Sequence, residues 1–145
     1  MSKLKAFYVF LFIGFLAYYL FYLSNSDTIK NIQRELEQQY SLIRQMPGVT
    51  LVGHSSGRKP EIVLVHGEFI TRADSSEILK YYDSEFKRLG WQLVGQERNK
   101  PFGYDNVEDH HYFKKGDYRA TVECSNATSS YGWTFAVDLA WEWYD

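Results

Sequence analysis

Residues 118–125, YRATVECS, and residues 134–143, TFAVDLAWEW, place large apolar side chains at every second position. The apolar positions of the two stretches are Tyr118, Ala120, Val122 and Cys124, then Phe135, Val137, Leu139, Trp141 and Trp143. Successive side chains of a strand point to opposite faces, so this alternation predicts strands with one buried and one solvated face. Such strands are typical of an antiparallel sheet.

Further strands are predicted on either side of these two. They lie at residues 49–52, 61–71, 91–97 and 110–114. Gly116 and Asp117 form a two-residue hairpin turn between the last of these and residue 118. A loop around residues 57–60 and a polar loop at residues 98–109 separate the others.

The clearest helix signal in the chain lies at residues 74–90. Asp74 with Glu77 three residues later forms a capping box, and Gly90 supplies the C-terminal cap. An apolar stripe is formed by Ile78, Leu79, Tyr82, Phe86 and Leu89. The fold class predicted is therefore α+β, a two-layer sandwich in which one main helix covers an antiparallel sheet of about five to six strands.

The N-terminal stretch at residues 6–23, AFYVFLFIGFLAYYLFYL, carries no charge. At about 1.5 Å per residue it predicts a transmembrane helix of roughly 27 Å. Lys3 and Lys5 precede it, so the N-terminus at residues 1–5 is expected in the cytoplasm. Localisation is predicted at the plasma (inner) membrane as a single-pass protein, with an exoplasmic α+β domain at residues 48–145.

Residues 24–47 are expected to form a membrane-proximal helix or linker. Apolar residues with near-heptad spacing predict a helix from Ser26 or Asp27 to about Met46. This helix could be a stalk continuous with residues 6–23, a coiled-coil dimeriser, or a helix packed on its own domain, of which the last is favoured. Cleavage near Ser26, which would release the domain as a secreted protein, is the alternative to an uncleaved anchor.

Charge and cysteine content exclude some classes of protein. Without Lys3 and Lys5 the chain has 14 basic against 18 acidic side chains, which is not the basic footprint of a nucleic-acid binder. Cys124 is the single cysteine, so no intramolecular disulfide can form and the domain depends on packing. No cofactor is predicted.

Residues 66–94, HGEFITRADSSEILKYYDSEFKRLGWQLV, followed by YFKKGDYRATVE and a terminal aromatic strand, resemble a group of small bacterial proteins. These are membrane-anchored or lipoprotein-like proteins with a helix carrying a YYDxxxxxxGW-like pattern. Tyr81, Tyr82, Asp83, Gly90 and Trp91 match that pattern. The resemblance implies a compact α+β domain behind an anchor. It implies no activity, because the group has none assigned.

The sequence GHSSG at residues 53–57 matches the G-x-S-x-G motif of α/β-hydrolases. That motif places its serine, here Ser55, on a tight turn between a strand and a helix. The residues that follow do not open a helix, and about 90 residues are too few for the rest of that fold. A turn between strands is the favoured interpretation, and a small exoplasmic serine hydrolase using Ser55 is the alternative.

An acidic patch with two histidines is formed by Asp105, Glu108, Asp109, His110 and His111. Imidazole and carboxylate groups can hold zinc when three or four of them converge. Adjacent His110 and His111 would point to opposite faces of a strand, so at most one can join a given site. A solvated loop is the favoured interpretation, and no catalytic, cofactor-binding or metal residue is assigned.

Since no coherent catalytic set emerges, the chain is predicted to be a binding or assembly module rather than an enzyme. The expected partners are the lipid bilayer, through the N-terminal helix, and a membrane or envelope protein. Neither the ligand nor the oligomeric state follows from the sequence.

Overall fold

The computed structural model describes residues 3–59, 62–100, 107–125 and 132–142. In this part of the chain there are two helices and six strands. They are, in chain order, α1 (Lys3–Ser41), β1 (Thr50–Lys59), β2 (Ile62–Ile70), α2 (Ser75–Arg88), β3 (Gln92–Asn99), β4 (Glu108–Lys115), β5 (Tyr118–Ser125) and β6 (Phe135–Glu142).

All six strands form one antiparallel sheet in the order β1-β2-β6-β5-β4-β3. The hairpin β1-β2 stands at one side, and β3, β4, β5 and β6 follow each other as a meander from the opposite edge. The last strand, β6, is inserted between β2 and β5. Helix α2 connects β2 to the far edge of the sheet, where β3 begins.

Both helices cover the same face of the sheet. Helix α1 contacts β1, β2 and β6, while α2 contacts β3, β4 and β5. The core between the helices and the sheet is built from buried apolar side chains, among them Leu36, Val63, Val65, Phe69, Ile78, Tyr82, Phe86, Phe113, Val122, Phe135, Val137 and Leu139. The prediction of a single covering helix is therefore wrong, since the second half of α1 covers half of the sheet.

Helix α1 is continuous from Lys3 to Ser41. Its second half packs on its own domain, because Ile29 and Leu36 lie in the core and Leu36 is 0% exposed. Two of the three arrangements predicted for this segment are thus observed together, since the helix is continuous with residues 6–23 and its second half packs on the domain. The helix ends at Ser41 and not near Met46 as predicted, although Met46 still packs against the core.

The predicted transmembrane helix at residues 6–23 is corrected by the structure. A span needs about 20 consecutive, mostly apolar residues. Among the residues that the structure describes, no helix is long and apolar enough to cross a membrane. The prediction of a transmembrane helix is therefore wrong. The predicted single-pass localisation at the inner membrane depended on that helix and is wrong as well.

Helix α2 begins and ends where the sequence predicts. The Asp74 side chain accepts a hydrogen bond of 2.9 Å from the backbone N–H of Glu77. Gly90, just after the helix, has φ +82°, a conformation that glycine adopts without the strain of a Cβ. The buried face of the helix is formed by Ile78, Leu79, Tyr82, Glu85 and Phe86. The predicted cap and most of the predicted apolar stripe are confirmed.

Glu85 is the one charged residue on that buried face, and it fastens α2 to the segment that follows α1. Its Oε1 accepts a hydrogen bond of 2.7 Å from the backbone N–H of Arg44. Arg88 donates to the same carboxylate and also to the carbonyl of Leu42. The hydrogen bond from Arg88 holds the pKa of Glu85 below its usual value, against the opposing effect of burial.

The two hairpins differ in how well the sequence predicts them. Gly116 has φ +59° in the turn between β4 and β5, as expected for the predicted hairpin. The loop predicted around residues 57–60 is wrong as far as Lys59, because β1 continues to Lys59, where it pairs with Ile62. Glycine and serine residues at 53–57 are weak strand formers, so the pairing with β2 overrides their local preference.

Gly67 in β2 allows α1 to lie close to the sheet. A Cβ at this position would overlap the hydroxyl of Tyr40, which comes from the last turn of α1. Tyr40 is partly buried in this contact, and the burial raises the pKa of its hydroxyl to about 12. The close approach of Tyr40 to the backbone of β2 therefore requires a residue without a side chain.

We expect Gly67→Ala to lower the free energy of unfolding by about 1–3 kcal/mol, because the added methyl group displaces Tyr40. Chemical denaturation of the full chain, followed by tryptophan fluorescence, measures the change. Gly57→Ala is the matched control in β1, since a Cβ there meets nothing within 4 Å. Its stability should lie within about 0.5 kcal/mol of the original chain. Equal losses in the two variants would contradict the role of Gly67.

Candidate functional site

Six ionisable side chains lie together on the face of the sheet opposite α1 and α2. This face is called the open face. They come from four neighbouring strands and are His66 and Glu68 of β2, Asp138 of β6, Glu123 of β5, and Glu108 and His110 of β4. The strand register makes His66 the direct neighbour of Asp138, and Glu123 the direct neighbour of His110. These six residues are called the ionisable cluster.

His66 lies between two carboxylates. Its Nδ1 is 2.5 Å from Oδ1 of Asp138, and its Nε2 is 3.2 Å from Oε1 of Glu68. Only the protonated imidazolium can donate from both ring nitrogens. Burial lowers the pKa of His66, but the hydrogen bonds and charges of Asp138 and Glu68 outweigh it, so the pKa is raised above its usual value.

The carboxyl groups at the centre of the cluster are more easily protonated than usual. Burial raises the pKa of Asp138, and the hydrogen bond from His66 offsets only part of that effect. Burial also raises the pKa of Glu123, which His110 lowers and which Glu108 and Asp138 raise further. Both shifts mean that negative charge on this face is stabilised less well than in water.

Glu108, His110 and Glu123 form a compact group at one end of the cluster. One potential ligand atom from each residue lies within 4.8 Å of those of the other two. Glu108 is only 7% exposed. Nε2 of His110 is buried and lies 3.4 Å from Oε2 of Glu108. This nitrogen makes no hydrogen bond with any described group.

Ser55 lies in the middle of β1, where its neighbour across the sheet is His66. It is therefore on a regular strand, and the turn predicted for the GHSSG motif is wrong. The row Ser55, His66 and Asp138 has the residue types of a serine hydrolase triad. However, Nε2 of His66, which would take the serine proton, faces Glu68 instead. A nucleophile elbow also needs a helix directly after the serine, and β1 continues to Lys59.

The acidic patch predicted at residues 105–111 is divided between the two faces of the sheet. Glu108 and His110 lie on the open face, while His111 faces α2 and its Nδ1 is 2.7 Å from Oδ1 of Asp83. Asp109 also lies on the helix side and pairs with Arg98 at 3.2 Å. The expected opposite orientation of the two histidines is thus observed. Asp105 lies outside the described residues.

The helix side of the sheet contains a broad cleft of about 650 Å³ between α2 and the strands β3 and β4. Its polar walls include His111 with Asp83 and Arg98 with Asp109. Each of these side chains contacts its partner within the wall. The ionisable cluster on the open face differs from the cleft, because it contains more carboxyl groups than imidazoles.

Four members of the cluster were not identified as site residues from the sequence: His66, Glu68, Glu123 and Asp138. The alternation places Glu123 and Asp138 on the wet face of their strands, and this is the one signal that the sequence offers. Their proximity depends on the order of the strands, in which β6 lies between β2 and β5. Nothing in the local sequence around residue 138 specifies that neighbourhood.

We expect the stability of the full chain, without divalent cations, to fall as the pH rises through the raised pKa of His66. The stabilisation is fully present below the unfolded-state pKa of about 6.5, because the imidazolium is then held by Asp138 and Glu68. His66→Gln should remove this part of the pH dependence. Urea denaturation between pH 5 and 9 in the presence of EDTA measures it.

Ser55→Ala is the control for this prediction, because it changes the cross-strand neighbour of His66 without removing charge. Its pH dependence should match that of the original chain. If His66→Gln retained the full pH dependence, the interpretation of the His66 contacts would be wrong.

No protein-family model matches the chain, and searches of curated proteins and of solved structures found no significant match. The resemblance to small bacterial anchored proteins therefore stays a prediction. The assignment of a candidate site depends on the geometry of the ionisable cluster.

Proposed function

We propose that the domain is a non-catalytic binding module whose open face binds a small metal cation through the ionisable cluster. The observation that carries the proposal is the balance of charge in the cluster. Within the cluster, four carboxyl groups, those of Glu68, Glu108, Glu123 and Asp138, stand with two imidazoles. The basic side chains of Lys114 and Arg119 lie on the same face, four positions further along β4 and β5. Glu108 is buried, and His66, His110, Glu123 and Asp138 are partly buried.

Burial of several carboxylates next to one another opposes folding. Each group loses hydration, and the like charges repel each other. The raised pKa values of Glu123 and Asp138 are the consequence. Clusters of ionisable groups with perturbed pKa values are concentrated at functional sites. A bound cation would offset the repulsion without any change in the fold.

A catalytic role has weaker support. Ser55 is the nucleophile suggested by the sequence, and it is exposed on a strand whose neighbour His66 is engaged by two carboxylates. By contrast, a binding role needs only that the charged side chains face the same side at short distances. The strand pairing already meets that requirement.

We expect divalent cations to stabilise the full chain after EDTA treatment and dialysis. One cation bound at about 100 times its dissociation constant adds roughly 2.7 kcal/mol to the free energy of unfolding. Thermal unfolding in MgCl2, CaCl2, MnCl2 and ZnCl2, compared with NaCl at equal ionic strength, measures the effect. The double variant Glu123→Gln/Asp138→Asn should lose most of the response to cations, because it removes two of the four carboxyl groups of the cluster.

Asp109→Asn provides the control on the opposite face of β4. It removes one carboxylate whose ion-pair partner, Arg98, is 74% exposed, so its stability should change by less than about 1 kcal/mol. Its response to cations should equal that of the original chain. The proposal fails if none of the four chlorides stabilises the chain beyond the effect of NaCl.

A further inference from the structure

We infer that Glu108, His110 and Glu123 form a site for one divalent transition-metal ion of the Zn²⁺ class. This inference rests on the proposed function and narrows it to three ligands and one class of cation. Asp138, Glu68 and His66 form the remainder of the ionisable cluster and lie outside the site.

The strand geometry directs the three side chains to one point. Glu108 and His110 are two positions apart on β4, so they project from the same face. Glu123 is the direct neighbour of His110 on β5, and directly opposed residues have Cβ atoms about 4.5–5.5 Å apart. The three side chains therefore come from rigid, paired strands in the middle of the sheet.

The ligand atoms are already close to the separation that a metal ion needs. They lie within 4.8 Å of one another. Two atoms bound to the same zinc ion at about 2.1 Å can be at most about 4.2 Å apart. Closing this difference takes a rotation of the glutamate side chains.

The state of His110 is an independent indication of a ligand. Its Nε2 is buried and makes no hydrogen bond with any described group. A buried polar atom without a partner costs free energy, and native folds leave few of them. In the tautomer protonated on Nδ1, Nε2 carries a lone pair and can act as a metal ligand.

The donor set selects the class of metal. Imidazole nitrogen favours zinc and its transition-metal neighbours, whereas Mg²⁺ and Ca²⁺ prefer six or more oxygen ligands. Three protein ligands made of one histidine and two carboxylates satisfy a four-coordinate ion with one position left for water or an external ligand.

The test is a titration of the tag-free full chain with Zn²⁺ in competition with a chromophoric chelator. We expect one ion per chain. His110→Gln and Glu123→Gln should each weaken the affinity at least ~10-fold, because each removes a direct ligand. His111→Gln is the matched control, since it changes the adjacent histidine on the opposite face of β4. It should bind Zn²⁺ as tightly as the original chain.

A second measurement uses only the original chain, so it gives a result even if the variants fail to fold. Co²⁺ added to the original chain should give the visible absorption of a four-coordinate site, and Zn²⁺ should abolish it. Absence of Zn²⁺ binding, or binding that His111→Gln weakens as much as His110→Gln, would overturn the inference. If Mg²⁺ or Ca²⁺ stabilises the chain through Asp138 while Zn²⁺ does not bind, the inference fails and the proposed function stands. If no cation binds, both fail.

Discussion

The insertion of β6 between β2 and β5 is the constraint on which the rest of the structure depends. β6 pairs with both neighbours along nearly its whole length. On one side stands the hairpin β1-β2 with α1, and on the other the strands β3, β4 and β5 with α2. Each group covers half of the core, and β6 is the strand that joins them. Pairing between β2 and β6 joins residues that are far apart in the chain. Forming this pair therefore costs loop-closure entropy and makes the contact non-local.

The same insertion explains why the core and the cluster lie back to back. On the helix side, Phe135, Val137 and Leu139 of β6 complete the core. On the open face, Asp138 comes between His66 and the residues of β5, while Ala136 occupies the position between Glu68 and Glu123. Because the side chain of Ala136 is only a methyl group, no bulky side chain stands between the carboxylates of Glu68 and Glu123. The alternating side chains of β6 thus pack in the core on one side of the sheet and contribute the Asp138 carboxylate to the cluster on the other.

The ionisable groups on the two faces have different surroundings. On the helix side, Glu85 is satisfied by Arg88 and by the backbone of Arg44, and it fastens the end of α1 to α2. His111 with Asp83 and Arg98 with Asp109 are likewise paired. In the ionisable cluster, carboxylates outnumber imidazoles, and Nε2 of His110 lies 3.4 Å from Oε2 of Glu108 without a hydrogen bond to any described group. The paired groups on the helix side hold elements of the fold together, while the perturbed groups on the open face are the basis of the proposed binding site.

The sequence by itself determined the features that depend on nearby residues. The cap at Asp74, the glycines at positions 90 and 116, and the alternation in β5 and β6 follow from backbone geometry within a few residues. Only the tertiary structure decided the extension of β1 through the GHSSG stretch, because pairing with β2 outweighs weak local preference. It likewise decided the packing of α1 and the assembly of the ionisable cluster. These features join residues on different strands, and strand order is set by burial of the whole core rather than by any single segment.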